Sequence, residues 1–451
     1  MTIQPSSLEI KLGMEVYASS TRGIGGRIRS ELEDFVVEEV LLDGSKASIQ
    51  LRRNTYQISG RGRYLICILI KKGRDTLVTV EKIAKQIGVS PDMISIAGIK
   101  DTHALTAQHI SIGAISPEKI KTSLKGITLI PLRFSEDKIS AKTLLGNQFE
   151  ITVRSIFYSP SEAYRMISET WREISSLGGV PNFFGHQRFG TIRPITHIVG
   201  RFLVKQRFEE AAMIFLSEPS EYEESHTRIA REHLRETLDF SSALKRFPKS
   251  LTYERLMLRH LSKYPRDFLG AFRRLPIKLR RLFVQAYQSY LFNRFLSGRI
   301  KRKISLTDVQ EGDYVVSIGS NGLPTGRFTK VEKGNLHLIL SEIKKGRAAL
   351  ALPVIGFNQN LSDGIQGEIE KEILEQENIQ PRDFQIKKML EASARGGLRR
   401  ALAPVINMNF ETKPADDESI ARFRFMLHKG SYATVVLREF MKPQDPISSG
   451  F

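Results

Sequence analysis

A carboxylate and a cation stand side by side in residues 97–108 (AGIKDTHALTAQ), which follow a short apolar, strand-like segment. The two are Asp101 and Lys100. Loops that leave a strand commonly present reactive groups on a rigid scaffold, and an aspartate, with an ordinary pKa of about 3.9, is ionised at neutral pH. Asp101 could therefore act as a nucleophile or as a base, with Lys100 as a nearby cation. An aspartate that only closes a turn would give the same local pattern, so spacing alone leaves both interpretations open.

Aromatic and polar side chains are concentrated in residues 182–190 (NFFGHQRFG), between two segments of helical pattern. The amide of Asn182, the ring of Phe184 and the guanidinium of Arg188 could stack on and hydrogen-bond an extruded nucleobase. A hydrophobic plug packed between helices is the alternative interpretation of the same residues.

The chain lacks the motifs of several common enzyme classes. No GxxxxGK[ST], HExxH or GxSxG sequence occurs, and the nine histidines are scattered without an acidic cluster beside them, so we expect no metal site. The single cysteine, Cys67, cannot form an intramolecular disulfide. The strongest apolar run, residues 64–70, is far shorter than the ~20 residues that span a bilayer, and the N-terminus has no signal-peptide pattern. We expect a cytoplasmic protein without a membrane segment.

Positive charge is concentrated in one stretch of the chain. The 451 residues carry a formal net charge of +19, and residues 245–303 alone contain 17 Lys or Arg against two acids, a net of +15. Such clustering favours a polyanionic partner whose phosphates the cations neutralise, while a solvated basic face without a partner is the alternative. The predicted phosphate contacts are Arg273, Arg274, Arg280, Arg281, Arg299, Lys301, Arg302 and Lys303.

The elements that must hold these residues follow an α+β pattern. The first 155 residues are rich in strand-like segments, with a helix predicted over 76–88. Further helices are predicted over 196–216 and from Pro276 onward, where apolar and aromatic residues recur at intervals of three and four and are expected in the core. A β-hairpin is predicted over 311–340, around an Asn-Gly turn. Because the strands do not alternate regularly with helices, the pattern argues against a doubly wound sheet.

Six segments taken together resemble the TruD family of pseudouridine synthases, which convert a uridine in RNA to its C-glycoside isomer. Residues 97–108 resemble the family's G-x-K-D-x-x-A-x-T-x-Q motif, and residues 182–190 resemble its N-[FY]-F-G-x-Q-R-F-G motif. The other matching segments, in the family's order, are ELEDFVVEE, LGNQFEITVR, RGGLRRALAPV and FRFMLHKGSYATVVLRE. The matches extend from about residue 26 to residue 440, so the resemblance covers most of the chain.

The resemblance implies a pseudouridine synthase core with a mixed, largely antiparallel sheet and an inserted α/β TRUD domain. The core would comprise residues 1–204 and 401–451, and the insertion would comprise residues 205–400, which contain the basic stretch. The implied partner is tRNA, with other structured RNA as an alternative, and the implied target is uridine-13. No cofactor, metal or obligate protein partner is implied.

The resemblance also implies roles for individual residues. Asp101 matches the family's nucleophilic aspartate. Phe35, Asn182 and Phe425 match positions that contact the target nucleotide, and Phe184 would help to shape the pocket.

At two positions the chain departs from the family's pattern. Arg29 stands where a lysine is usual, and His428 stands where a proline is usual. Arg29 keeps the positive charge but has a different geometry from lysine, so the cation beside Asp101 could be Arg29 or Lys100. The conformation of the loop after Phe425 is the second point that sequence leaves open.

Two other classes of function stay open on sequence. A non-catalytic RNA-binding protein or RNA chaperone would use the same fold, and an RNA hydrolase would act on the same partner. The intact aspartate and aromatic motifs favour the synthase, while a hydrolase lacks an evident metal cluster or histidine pair. The sequence does not choose between attack of Asp101 at C1′ and proton abstraction at C2′ that gives a glycal.

Overall fold

The computed structural model describes residues 3–51, 58–113, 115–120 and 124–451. Its strands are β1 (Phe35–Leu41), β2 (Tyr64–Lys72), β3 (Ile94–Ile96), β4 (Leu105–Gly113), β5 (Ile127–Ser135), β6 (Leu144–Ile156), β7 (Val180–Pro181), β8 (Tyr314–Ile318), β9 (Pro324–Lys330), β10 (Ala348–Val354), β11 (Gly397–Arg400), β12 (Leu402–Ala403), β13 (Ile406–Ala415) and β14 (Glu418–His428). Its α-helices are α1 (Ser7–Lys11), α2 (Thr76–Ile87), α3 (Pro160–Ser176), α4 (Thr196–Val204), α5 (Phe208–Ser217), α6 (Ser225–Thr237), α7 (Phe240–Arg246), α8 (Thr252–Leu261), α9 (Phe268–Arg273), α10 (Ile277–Lys301), α11 (Leu336–Lys344), α12 (Gly364–Glu377) and α13 (Ala433–Met441).

The largest sheet joins strands from both ends of the chain. Its order is β13-β14-β6-β1-β4-β2-β5, and β3 pairs with β4 beside this path. The pair β1 and β4 is parallel, whereas the neighbouring pairs are antiparallel. The predicted α+β class with a mixed, largely antiparallel sheet is confirmed.

The two larger apolar cores of the described residues lie against this sheet. One packs Leu65, Cys67 and Leu69 of β2 against Ile83 and other residues of α2. The helix predicted over 76–88 is confirmed, with Asp75 as its N-cap and Gly88, at φ 74°, at its C-terminal end. The other core packs β1, β6 and β14 against α3 and α13. Where the cores meet, at β1, β4 and β2, the buried side chains are polar: Glu39, Thr106, Gln108 and Lys71. This polar seam underlies the candidate site.

The rest of the chain forms a helical layer and a smaller sheet. Helices α4 to α10 pack on one another, and the smaller sheet has the order β11-β10-β8-β9. The larger apolar core continues without a break into this region through α10, whose Tyr287, Phe292 and Phe295 are fully buried, which confirms the predicted core face of that helix. The chain leaves the smaller sheet at Arg400 and then pairs β12 with β7.

Two predicted elements are corrected by the structure. The helix predicted over 196–216 is two helices, α4 and α5, because the chain turns at Gln206, which has a φ of 56°. The second part of the predicted hairpin over 311–340 includes the start of α11 rather than a strand. Its apolar residues Leu336, Ile339, Leu340 and Ile343 recur at a helical interval and pack together on the core.

None of the helices in the described residues is both long enough and apolar enough to cross a membrane.

Candidate active site

The loop that carries Asp101 runs from β3 to β4 and is fixed by buried polar side chains. The Nζ of Lys71 donates to the carbonyl oxygens of Asp101 at 2.7 Å and of Arg74 at 2.8 Å. The hydroxyl of Thr76 accepts from the amide of Lys100 at 3.1 Å, and the amide of Gln108 donates to the Gly98 carbonyl at 3.2 Å. Because these donors and acceptors sit on β2, α2 and β4, the loop is bound to the sheet on which it lies.

Lys100 does not face the carboxylate of Asp101. Its Nζ forms an ion pair of 2.8 Å with Glu39, and the two side chains are 6% and 0% exposed. Burial acts to raise the pKa of Glu39, but the hydrogen bond with His109 and the charge of Lys100 outweigh it, so this pKa is lowered. Lys100 therefore anchors the loop, and the cation beside Asp101 is a different residue.

That cation is Arg29. Its Nη2 lies 3.3 Å from Oδ1 of Asp101, and its Nη1 donates to the carbonyl oxygen of Gly450 at 2.5 Å. Burial lowers the pKa of Arg29, while the charge of Asp101 opposes that shift. The amide of Gln187 donates to the same Oδ1. The Asp101 side chain is 25% exposed, and no described residue donates a hydrogen bond to its Oδ2, which leaves one carboxylate oxygen free for a substrate.

The two phenylalanines of the first and last motifs lie in the core beneath this site. The guanidinium of Arg29 is 4.1 Å from the ring centroid of Phe35, so the ring supports the cation that holds Asp101. Phe35 contacts Phe149, which contacts Phe425, at centroid distances of 6.3 and 5.6 Å. Phe35 is 2% exposed and Phe425 is fully buried. In this structure neither ring has a free face on which a base could stack.

Asn182 and Phe184 are held together by Arg399. The Oδ1 of Asn182 accepts from Nη2 of Arg399 at 2.6 Å, and its Nδ2 donates to the carbonyl oxygen of Arg400 at 3.0 Å. The Arg399 guanidinium lies 4.0 Å from the centroid of the Phe184 ring. The two residues are thus close to each other and to the end of the smaller sheet.

Helix α10 positions the segment that joins these residues to Asp101. The side chain of Asn293 accepts from the amide of Phe184 at 2.8 Å and donates to the carbonyl oxygen of Phe184 at 3.0 Å. Ser289, one turn earlier, accepts from Nε of Arg188 at 3.1 Å. The segment 182–188 therefore runs from Arg399 to Asp101, with Asn182 at one end and Gln187 at the other.

Several residues that shape this site are not among the sequence candidates. Gln187 lies inside a motif whose aromatic residues and arginine are its more conspicuous members. Lys71 carries a recognisable signal, because it follows Leu65, Cys67 and Leu69 at the same spacing on β2 and places a charge where the core face continues. The partnership of Glu39 with Lys100 joins residues 61 positions apart and has no local signal.

The predicted phosphate contacts divide into paired and unpaired cations. The prediction that Arg299 contacts phosphate is corrected by the structure. Arg299 is 1% exposed and forms ion pairs of 2.7 and 2.9 Å with Asp313. It therefore stabilises the interior and cannot reach a phosphate. Arg280, Lys301 and Arg302 are paired with the acids Glu391, Glu15 and Glu372 respectively. The remaining candidates have no acidic partner among the described residues and are exposed: Arg273, Arg274, Arg281 and Lys303.

The fold and the site agree with the class that the motifs imply, a pseudouridine synthase: a mixed, largely antiparallel sheet holds one aspartate beside a cation at its covered face. Comparison with known proteins identifies the family within that class. The family model described as tRNA pseudouridine synthase D (TruD) matches residues 11–440. The chain therefore belongs to the TruD family.

Individual relatives match over nearly the whole chain. A Methanosarcina barkeri protein named "Probable tRNA pseudouridine synthase D" is 41% identical over 455 residues, with 99% of each chain covered. A protein of the same name from Methanopyrus kandleri is 38% identical over 387 residues, which cover 85% of this chain and 87% of that one. A crystal structure from Methanosarcina mazei, solved under the name TruD, gives a TM-score of 0.81 at 40% identity and covers 96% of this chain and 97% of that one.

Proposed function

We propose that the chain isomerises uridine to pseudouridine in tRNA, at uridine-13, with Asp101 as the catalytic carboxylate. The observation that carries this proposal is the state of Asp101. Its backbone is fixed by Lys71, its Oδ1 is held by Arg29 and Gln187, and its Oδ2 has no hydrogen bond from a described residue. A preorganised carboxylate with one free oxygen suits attack on a sugar carbon.

The chemistry requires little beyond that carboxylate. The N1–C1′ bond must break, the uracil must rotate, and a C5–C1′ bond must form, after which the hydrogen on C5 leaves as a proton and N1 gains one. Asp101 can attack C1′ and form an ester, or remove the proton from C2′ to give a glycal. Arg29, 3.3 Å from Oδ1, offsets the cost of holding the carboxylate partly away from water.

We infer that the detached uracil is retained near Asn182 and Phe184. Both line a cavity of about 340 Å³, and stacking on an aromatic ring contributes about 1 to 3 kcal/mol per base. Phe35 and Phe425 support the site indirectly. Phe35 packs against Arg29, and Phe425 packs against Phe149, which contacts Phe35. A direct contact of either ring with the nucleotide would require the site to open.

We infer that residues 205–400 form an RNA-binding insertion in a core made of residues 1–204 and 401–451. The change of sheet between β11 and β12 supports the second boundary. Exposed cations without an acidic partner among the described residues crowd the segment from α7 to the start of α10, which makes this segment the main phosphate surface. They are Lys245, Arg246, Lys249, Arg259, Lys263, Arg266, Arg273, Arg274 and Lys278.

The experiment that tests the reaction is tritium release from tRNA labelled at C5 of uridine. The wild-type chain is expected to release tritium, and Asp101→Asn is expected to release none while it binds the tRNA within a few fold of the wild type. Asp92→Asn is the matched control, because Asp92 is exposed and precedes β3, whereas the loop that carries Asp101 follows β3. Release by Asp101→Asn at the wild-type rate would remove Asp101 from the mechanism.

A further inference from the structure

Three adjoining cavities form a groove between the large sheet and the smaller one. Their volumes are about 340, 370 and 310 Å³. The first shares Val354 and Leu398 with the second, and Leu323, Pro324 and Lys429 with the third. No Asp or Glu lines any of them, whereas five cations do: Arg281, Arg395, Arg399, Arg400 and Lys429. We call this feature the arginine groove.

Arg400 is a half-buried cation of this groove. Its side chain forms no hydrogen bond or ion pair with the described residues, and its Nε is buried without a partner. Burial lowers the pKa of Arg400, although an arginine stays charged at neutral pH. A half-buried charge without a counter-ion is costly, so a ligand that supplied the missing acceptors would bind with a free-energy gain.

Arg399 also lacks an acidic partner. Its guanidinium donates to the backbone of Asn182 at 2.9 Å and of Gly430 at 2.8 Å and lies against the Phe184 ring. Burial lowers the pKa of Arg399 to about 10, and the nearby charge of Arg188 acts in the same direction. Arg399 and Arg400 therefore place two positive charges at the groove without a compensating carboxylate among the described residues.

Buried arginines elsewhere in the described chain are treated differently. Arg299 pairs with Asp313, Arg438 with Glu9, and Arg231 with Glu223 and Glu254. Each of these three is at most 1% exposed and has a carboxylate within 3 Å. Half-buried arginines without a carboxylate also occur, but Arg188 donates to the hydroxyl of Ser289 and Arg255 donates to backbone carbonyl oxygens. Arg400 has no such acceptor among the described residues, so a ligand in the groove is the group that could supply one.

The groove leads to the catalytic aspartate. Asn182 and Phe184 line its first cavity, and the same segment reaches Asp101 through Gln187 five residues later. We propose that the arginine groove binds phosphodiesters of the RNA strand beside the target uridine, with Arg400 as a direct phosphate contact. This inference rests on the proposed function, because it takes RNA as the substrate.

The test pairs a protein variant with single neutral linkages in the RNA. Synthetic RNA that contains the target uridine carries one methylphosphonate at a time in the flanking linkages, and its binding to the wild type and to Arg400→Gln is measured against salt concentration. Removal of one cation that neutralises a single-strand phosphate reduces the salt slope by about 0.7. We expect Arg400→Gln to show that reduction, and one neutral linkage to weaken binding to the wild type but not to Arg400→Gln.

Kinetics and two further variants separate a binding defect from a folding defect. Arg400→Gln is expected to raise KM and to leave kcat at saturating RNA unchanged, and Arg400→Lys is expected to recover most of the salt slope. Arg424→Gln is the control, because Arg424 lies on β14 and pairs with Glu150 at 2.7 Å outside the groove. Its salt slope should equal that of the wild type.

Two results would overturn the inference. One is an unchanged salt slope together with linkage effects that are equal in the wild type and in Arg400→Gln. The other result would show that Arg400 binds a free anion instead. Inorganic phosphate would then raise the melting temperature of the wild type but not of Arg400→Gln, and no neutral linkage would weaken RNA binding more in the wild type than in Arg400→Gln. Failure of the proposed function gives a different signature, since the wild type would then form no pseudouridine in any of these RNAs.

Discussion

At the scale of single residues, the site depends on the carboxylate of Asp101 and on the different hydrogen bonding of its two oxygens. Arg29 and Gln187 both bind Oδ1 of Asp101, and Arg29 is in turn supported by Phe35 and by the carbonyl oxygen of Gly450. The planar guanidinium can make these contacts at once, which a lysine ammonium on a flexible stem cannot reproduce in the same geometry. The charge of Arg29 and the planar geometry of its guanidinium can therefore be tested separately.

Replacement of Arg29 by glutamine should lower kcat by about 10- to 100-fold, because a hydrogen bond to a charged group contributes about 1.5 to 3 kcal/mol. Arg29→Lys should recover much of the loss, since it restores the charge. Single-turnover pseudouridine formation measures both variants, and Arg27→Gln is the control because Arg27 is exposed two residues earlier. If Arg29→Gln and Arg29→Lys lose activity equally, the charge of Arg29 is not what Asp101 requires.

At the scale of elements, the decisive unit is the loop between β3 and β4. Lys71 on β2 holds its backbone, yet Lys71 does not touch the Asp101 carboxylate and is fully buried. Burial lowers the pKa of Lys71 from 10.5 to about 8, and the charge of Lys100 adds to this, while Asp101 and Asp75 oppose it. Lys71 is thus a positioning residue whose protonation can be followed by stability measurements.

The stability of the wild type should rise with pH between about 8 and 10.5 relative to Lys71→Met, because in that window the unfolded chain still binds the proton that the folded chain has released. Urea unfolding at several pH values measures this difference. Lys71→Met should also lower kcat by freeing the loop, whereas Lys72→Met, the exposed neighbour, should change neither. Parallel pH profiles for the wild type and Lys71→Met would refute the assignment.

Some helices of this fold can be predicted from sequence, and some of their ends cannot. The helix at 76–87 is predictable because its cap and its glycine are local signals, and α10 is predictable from its apolar period. The break at Gln206, with its φ of 56°, is not signalled by a glycine or a proline.

For the site, the motif around Asp101 is visible in the sequence, but the choice between Arg29 and Lys100 is not. That choice depends on Glu39, which is distant along the chain and forms a buried ion pair with Lys100. The prediction for Arg299 is wrong for a related reason, because its buried partner Asp313 lies beyond the basic stretch.

At the scale of the whole molecule, the net charge of +19 is distributed unevenly between paired and unpaired cations. Acids from other elements neutralise much of the C-terminal half of the basic stretch, where Arg280, Arg294, Arg299, Lys301 and Arg302 are all paired. Most exposed cations of the stretch that form no ion pair with the described residues lie from α7 to the start of α10, and a second set of cations lines the arginine groove. RNA binding is therefore expected to involve two surfaces, one on the segment from α7 to the start of α10 and one in the arginine groove.

Neutralising cations between α7 and α9 should weaken tRNA binding and reduce its salt slope by about 0.7 to 0.9 for each phosphate that the protein no longer neutralises. The variant replaces Lys245, Lys249, Arg259, Lys263 and Arg266 by glutamine. The control removes the same charge from five exposed cations that have acidic partners: Lys46, Arg63, Arg165, Arg207 and Arg347. Equal salt slopes for the two variants would show that net charge, and not this surface, governs binding.

We propose that this chain uses Asp101 to make pseudouridine at one position in tRNA. Its most direct test is nucleotide-resolved mapping of pseudouridine in a tRNA transcript treated with the wild type or with Asp101→Asn. We predict conversion at uridine-13 with the wild type and none with Asp101→Asn. The account is contradicted if the wild type converts no uridine, or if Asp101→Asn converts the same uridine to the same extent.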